Sequence, residues 1–178
     1  MDIFAHTLWA GAAYKAANKK YRTRYTVWLG AFWGVFPDLF AFTIPFVWIV
    51  ITFVQGNLHR SDFPDPDEAQ PFTSTRVPSV FKISYTLYNY SHSTVIFLLV
   101  FFLVWLIFKR PVWEMWGWLL HILIDIPTHT ARLFPTPALW PIYDLRFNGI
   151  PWSRPWFMAL NYSALLIVYI LLWKKKKT

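Results

Sequence analysis

Long uncharged apolar stretches dominate this chain, separated by short clusters of charge. Between Arg24 and His59 the only charged residue is Asp38, and the stretch exceeds the ~20 residues a helix needs to cross a bilayer. Pro37 and Pro45 lie inside it and predict a kink or a break. No formal charge falls between Lys82 and Lys109, and residues 95–108 are almost purely apolar. Between Arg154 and Lys174, 19 uncharged residues end in LLIVYILLW. A fourth segment, 112–126, is apolar but carries Glu114, His121 and Asp125; it follows from the need to keep the flanking charges on consistent sides. A fifth, 2–17, is short and amphipathic and predicts a partial span or an interfacial helix.

Two stretches break the pattern. Residues 55–84 hold four prolines and the acidic run PDPDE, an irregular excursion outside the bilayer. Residues 127–155 hold PTP, WPIYD and IPWSRPW, a Pro/Trp-rich segment suited to an interfacial cap. The expectation is an all-α integral membrane bundle of about five segments with an outer cap, residues 1–178 forming one domain.

Composition agrees. Hydrophobic residues make up 56%, charged residues 15% and aromatics 21%, with a mean hydropathy of +0.35. Soluble chains average roughly 45–50% apolar and about 25% charged, so a disordered chain and a collagen-like fibre are excluded. The chain has no cysteine, which removes a disulfide scaffold, a thiol catalyst and a Cys-ligated zinc site. The N-terminus lacks the basic region, continuous apolar core and small-residue cleavage site of a signal peptide.

The net charge of +8 at first suggests nucleic acid, but its distribution points to the membrane. Lys174 to Lys177 follow an apolar run directly, and Lys15, Lys19, Lys20, Arg22 and Arg24 precede another. With the N-terminus outside and five crossings, 11 cations fall inside and 6 outside, so the positive-inside rule orients the chain N-out and C-in. The expected location is the inner (plasma) membrane and the expected partner the bilayer, with no nucleic acid bound. The sequence leaves oligomeric state open.

Ionisable groups inside apolar segments are expensive and point to function. His6, Asp38, His92, His121 and Asp125 all sit in such surroundings, and four separate segments bring them to similar depth in the outer half. His121 and Asp125 are i, i+4 and share a helix face, as do Asp2 and His6. Imidazole and carboxylate suit zinc, manganese or iron, and such an ion can activate water for attack on an ester. Each residue also has a structural reading. A membrane histidine can bond a neighbouring helix, the HxxxD pair can satisfy itself, and Asp38 can bond a backbone opened by Pro37. His59 beside Arg60 reads as solvated, His129 as peripheral and Glu114 as an interface residue. Asp144 and Arg146 read equally as substrate contacts or a surface pair.

Four short motifs, MDIFAHT, GVFPDLF, YNYSHSTV and HILIDIPT, stand in that order over residues 2–128. In motif and order the chain resembles the LexA-regulated inner-membrane family of metal-dependent hydrolases, itself distantly similar to zinc-dependent phospholipases C. The resemblance implies a divalent metal, zinc first, held by His6, Asp38, His92, His121 and Asp125, with Ser93 and Thr128 behind them. It also implies a phosphoester substrate. Two positions depart from the family pattern: Phe40 stands where a second acid follows Asp38, and no arginine precedes SHS.

The function expected is therefore a metal-dependent hydrolase acting on a lipid-like ester or phosphoester. Asp38, His121 and Asp125 are its catalytic candidates, Asp38 being preferred as general base. The alternatives are a His/Asp-lined proton or metal-ion transporter, or a membrane protein without catalysis.

Overall fold

In a computed structural model, residues 1–63, 78–131 and 134–173 are described. The acidic run at 64–68, Arg76, Arg132 and the lysine tail lie outside them. Among the described residues the chain is all helical apart from one isolated bridge between Pro137 and Arg146. Six helices follow in order: α1 (Ile3–Tyr21), α2 (Val27–Val54), α3 (Ser79–Ser91), α4 (Thr94–Phe108), α5 (Trp116–Thr128) and α6 (Pro155–Trp173).

Two helices, α2 and α6, are long and apolar enough to cross a membrane, and α3 with α4 makes a third if that bent pair is one span. Of the five segments expected, α2, α6 and the α3–α4 pair meet that test of length and composition. The 112–126 segment becomes a 3-10 turn at Trp113–Met115 followed by α5. At 13 residues α5 covers only ~20 Å, against the ~30 Å of a hydrocarbon core. The first segment extends past residue 17 to Tyr21, and α1 carries Lys15, Lys19 and Lys20.

Capping explains the boundaries. Asp2 opens α1 by accepting the Ala5 N–H at 3.0 Å, and Arg22 ends it at φ 56°. The uncharged stretch expected as one span breaks at His92, because Ser93 is extended and caps α4 through the Ile96 N–H at 3.3 Å. The two halves, α3 and α4, meet at 65°. The freed Thr94 N–H donates to Ala138 O at 2.9 Å, so the irregular 134–154 segment stabilises the break. That segment also closes over the end of α5: Ile150 N–H donates to Pro127 O at 2.9 Å and Trp152 N–H to Thr128 O at 3.1 Å.

α2 runs unbroken through Pro37 and Pro45, contrary to the break those residues allowed. Pro45 cannot donate to Ala41 O, and the Ser84 hydroxyl of α3 does so instead at 2.8 Å. Small residues draw α1 and α5 onto α2. A Cβ on Gly34 would lie 3.1 Å from His6 O, and one on Gly117 would lie 2.9 Å from Gly34 N. Such contact lets backbones approach closely, and in lipid that approach replaces the hydrophobic drive available in water.

Candidate metal centre

α1, α2, α5 and the α3–α4 break each place a polar side chain at one point. Asp38, His92, His121 and Asp125 are buried and offer one ligand atom each, all within 4.8 Å of one another. His121 Nε2 lies 3.0 Å from His92 Nε2, 3.2 Å from Asp125 Oδ2 and 3.7 Å from Asp38 Oδ1. His92 Nε2 lies 3.4 Å from Asp125 Oδ2 and 3.5 Å from Asp38 Oδ1. Ligands at 2.0–2.2 Å from a tetrahedral ion are separated by about 3.3–3.6 Å. Several of the separations fall near that spacing, and the group could hold a metal ion.

The imidazoles are oriented from behind. His121 Nδ1 donates to Gly34 O at 2.8 Å, since a carbonyl only accepts, and this turns Nε2 toward the cluster. His92 Nδ1 pairs with Ser91 Oγ at 2.9 Å, and the Tyr88 ring stacks on His92 at 3.6 Å between centroids. Asp125 Oδ2 is buried with no hydrogen-bond partner although two imidazole nitrogens stand near it. Two imidazole nitrogens and two carboxylates converging in a buried site could hold a cation between them. The donor set, nitrogen and oxygen without sulfur, fits zinc, manganese or iron.

His6 adjoins this group. Its ring stacks on His121 at 3.6 Å, and its Nε2 lies 2.9 Å from Asp125 Oδ1 without making a hydrogen bond. The Met1 nitrogen also contacts Asp125 Oδ1. Ser93 caps α4 and donates to Trp140 O, while Thr128 Oγ1 bonds back to Ile124 O at 2.9 Å. The seryl group bonded to His92 is thus Ser91 rather than the expected Ser93.

His129 is less peripheral than expected: its Nδ1 is 3.4 Å from Asp125 Oδ1. His59 stays apart, exposed, at the start of a 3-10 turn. Arg146 binds Asp144 at 2.6 Å and donates to Pro135 O at 3.2 Å, which ties the irregular segment together.

A cavity of about 460 Å³ reaches the cluster at Asp38, with His129 beside it and Ile3, Phe4, Phe42, Phe46, Phe134 and Trp152 among its walls. Comparison with protein-family models, with curated proteins and with solved structures gave no match.

Proposed function

We propose that this chain is a membrane-embedded hydrolase that uses a divalent metal, zinc first, to cleave an ester or phosphoester in a lipid-like substrate. The observation that carries the reading is Asp38, which belongs both to the His/Asp cluster and to the wall of an aromatic cavity. The cavity is of ligand size, within the ~300–1,000 Å³ of small-molecule sites. His92, His121 and Asp125 hold the ion, and His6 buttresses His121 by stacking. Bound there, the ion supplies Lewis acidity and activates water at neutral pH. Asp38, at the cavity edge, takes the proton from the attacking water, and the apolar walls hold the acyl chain and exclude bulk solvent. The resemblance to inner-membrane metal-dependent hydrolases agrees with this reading.

In the membrane, α1 and α5 complete a bundle around α2, with the N-terminus outside, the lysine tail in the cytoplasm and the 127–155 segment as outer cap. A tag after Thr178 is expected on the cytoplasmic side; cleavage of the 61–70 loop by protease only from that side would overturn the orientation.

Elemental analysis of purified wild type beside His121→Ala tests the metal, and turnover of lipid phosphodiesters and carboxyl esters in detergent tests the chemistry. Stoichiometric zinc with metal-dependent turnover, both lost in His121→Ala, is the expected result. Bound metal without turnover would reject the hydrolase, and metal-dependent flux in liposomes would replace it with a transporter.

A further inference from the structure

A second cavity, of about 280 Å³, lies on the other side of α2 between Trp33, Phe36 and Phe40 of that helix and Ile96 and Val100 of α4, with Trp118 of α5 beneath. Its origin is geometric. α3 packs extensively along α2, so the 65° bend at His92 carries α4 away from α2 and leaves a wedge. Phe40 and Tyr90, both half-exposed, stand at its rim. Trp118 fills the base, stacking on Trp33 at 6.1 Å and meeting Phe97 edge-on at 5.6 Å.

We propose that this wedge binds a single acyl chain of a membrane lipid. Both flanking helices belong to candidate membrane spans, so the medium around the wedge is hydrocarbon. The described walls carry no charged side chain, and their polar groups are the Tyr90 and Ser91 hydroxyls and the Trp33 and Trp118 indole N–H groups. An empty wedge would forfeit dispersion contacts along both helices. A helix from a second copy would have to seat a cylinder of ~10 Å diameter between α2 and α4, and the test below includes that occupant as an outcome. An acyl chain has the right section and needs no polar partner.

The wedge also touches the metal centre. Ser91 lines it, accepts the Trp118 indole N–H through its carbonyl at 2.5 Å, and pairs with His92 Nδ1 through its hydroxyl. A chain seated there packs against the residue that orients a candidate metal ligand.

Photolabelling tests the proposal. Protein in phosphatidylcholine nanodiscs is irradiated with a phosphatidylcholine that carries a diazirine in one acyl chain, and the adducts are mapped by mass spectrometry. Adducts on Trp33, Ile96 or Val100 are expected to exceed several-fold those on Leu99 and Leu106, which α4 presents outward at 57% and 64% exposure. Val100→Trp, which fills the wedge, should abolish the excess, and Ile96→Phe provides a second filled variant should the first not fold. Even labelling along α4, or an excess unchanged in both filled variants, would overturn the proposal. So would disulfide formation between two Val100→Cys chains, which would give the wedge to a second copy. His121→Ala is expected to label like wild type, so failure of the metal reading is distinguishable from failure of this one.

Discussion

The helices that build the candidate metal centre and those that face outward differ in what they bury. In α1, α2 and α5 the buried residues include many that are small or ionisable, Ala5, His6, Ala10 and Gly11 in α1, Gly30, Gly34 and Asp38 in α2, Gly117, His121 and Asp125 in α5, beside the larger Tyr14, Val35, Trp118 and Ile122. In α4 and α6 the buried residues are only Phe97, Phe101, Asn161 and Leu165. The rest of α4 and α6 is largely aliphatic or aromatic and exposed. In lipid an apolar side chain gains little by burial, so the outer helices need only be greasy. The inner ones must offer close backbone approach and a partner for every polar atom. Hydropathy alone does not separate the two sets, since α2 is as apolar as α6, and the polar interruptions mark the centre.

The contrast is broken most directly at the ligands. Asp125→Asn keeps the shape and removes the charge, and His121→Ala removes a donor nitrogen. Both are expected to lose the ion outright, beyond the ~10–100-fold that a supporting residue costs. Elemental analysis showing metal retained in Asp125→Asn would return the pair to a structural role. Chelation comes next. A metal at a hundredfold excess over its Kd stabilises by about 2.7 kcal/mol, so chelator should lower the wild-type melting temperature and hardly move that of either variant. An equal shift in all three proteins would locate the ion elsewhere.

Ser91 and Ser93 sharpen the comparison within three residues. Ser91→Ala should weaken metal binding about tenfold, the range for a residue that orients a ligand. Ser93→Ala should lower stability by about 1 kcal/mol as a lost helix cap and leave metal affinity unchanged. Isothermal titration of both variants decides between them, and the reverse pattern would assign the orienting role to Ser93. The smallest effect belongs to the outer layer: Leu166→Ala, on the exposed face of α6, should stay within about 0.5 kcal/mol by denaturant unfolding. A larger loss would mean that the Leu166 face of α6 is covered by a further partner.

Much of this was legible in the sequence. The apolar runs locate α2, α4 and α6; Asp38 and His92 stand out within two of them, and His6, His121 and Asp125 as ionisable groups in the two shorter apolar segments. Segment count was less legible. Hydropathy does not register a cap, and Ser93, within the short polar stretch SHST, splits α3 from α4. α5 reads as a possible span by composition, yet its 13 residues make a short helix that leans on α2. The groups that aim the ligands were hidden for another reason. Gly34 acts through its carbonyl, which every residue has, and Ser91 is distinguishable from Ser93 only once the backbone turns between them. His129 looked peripheral because Pro127 precedes it, yet α5 continues through that proline to Thr128 and carries His129 back to Asp125.

The glycine contact between α2 and α5 bears on how this chain can diverge over time. A Cβ on Gly117 would collide with Gly30 O, so α5 could not hold its distance, and the bond from His121 to Gly34 O would stretch with it. Histidine and aspartate can replace one another around an ion and still bind it, whereas no side chain substitutes for the missing methyl. In a lineage descending from this protein, the ligand letters should drift before Gly34 and Gly117 do. A relative that has exchanged a histidine but kept both glycines would retain the cradle, tuned to a different ion.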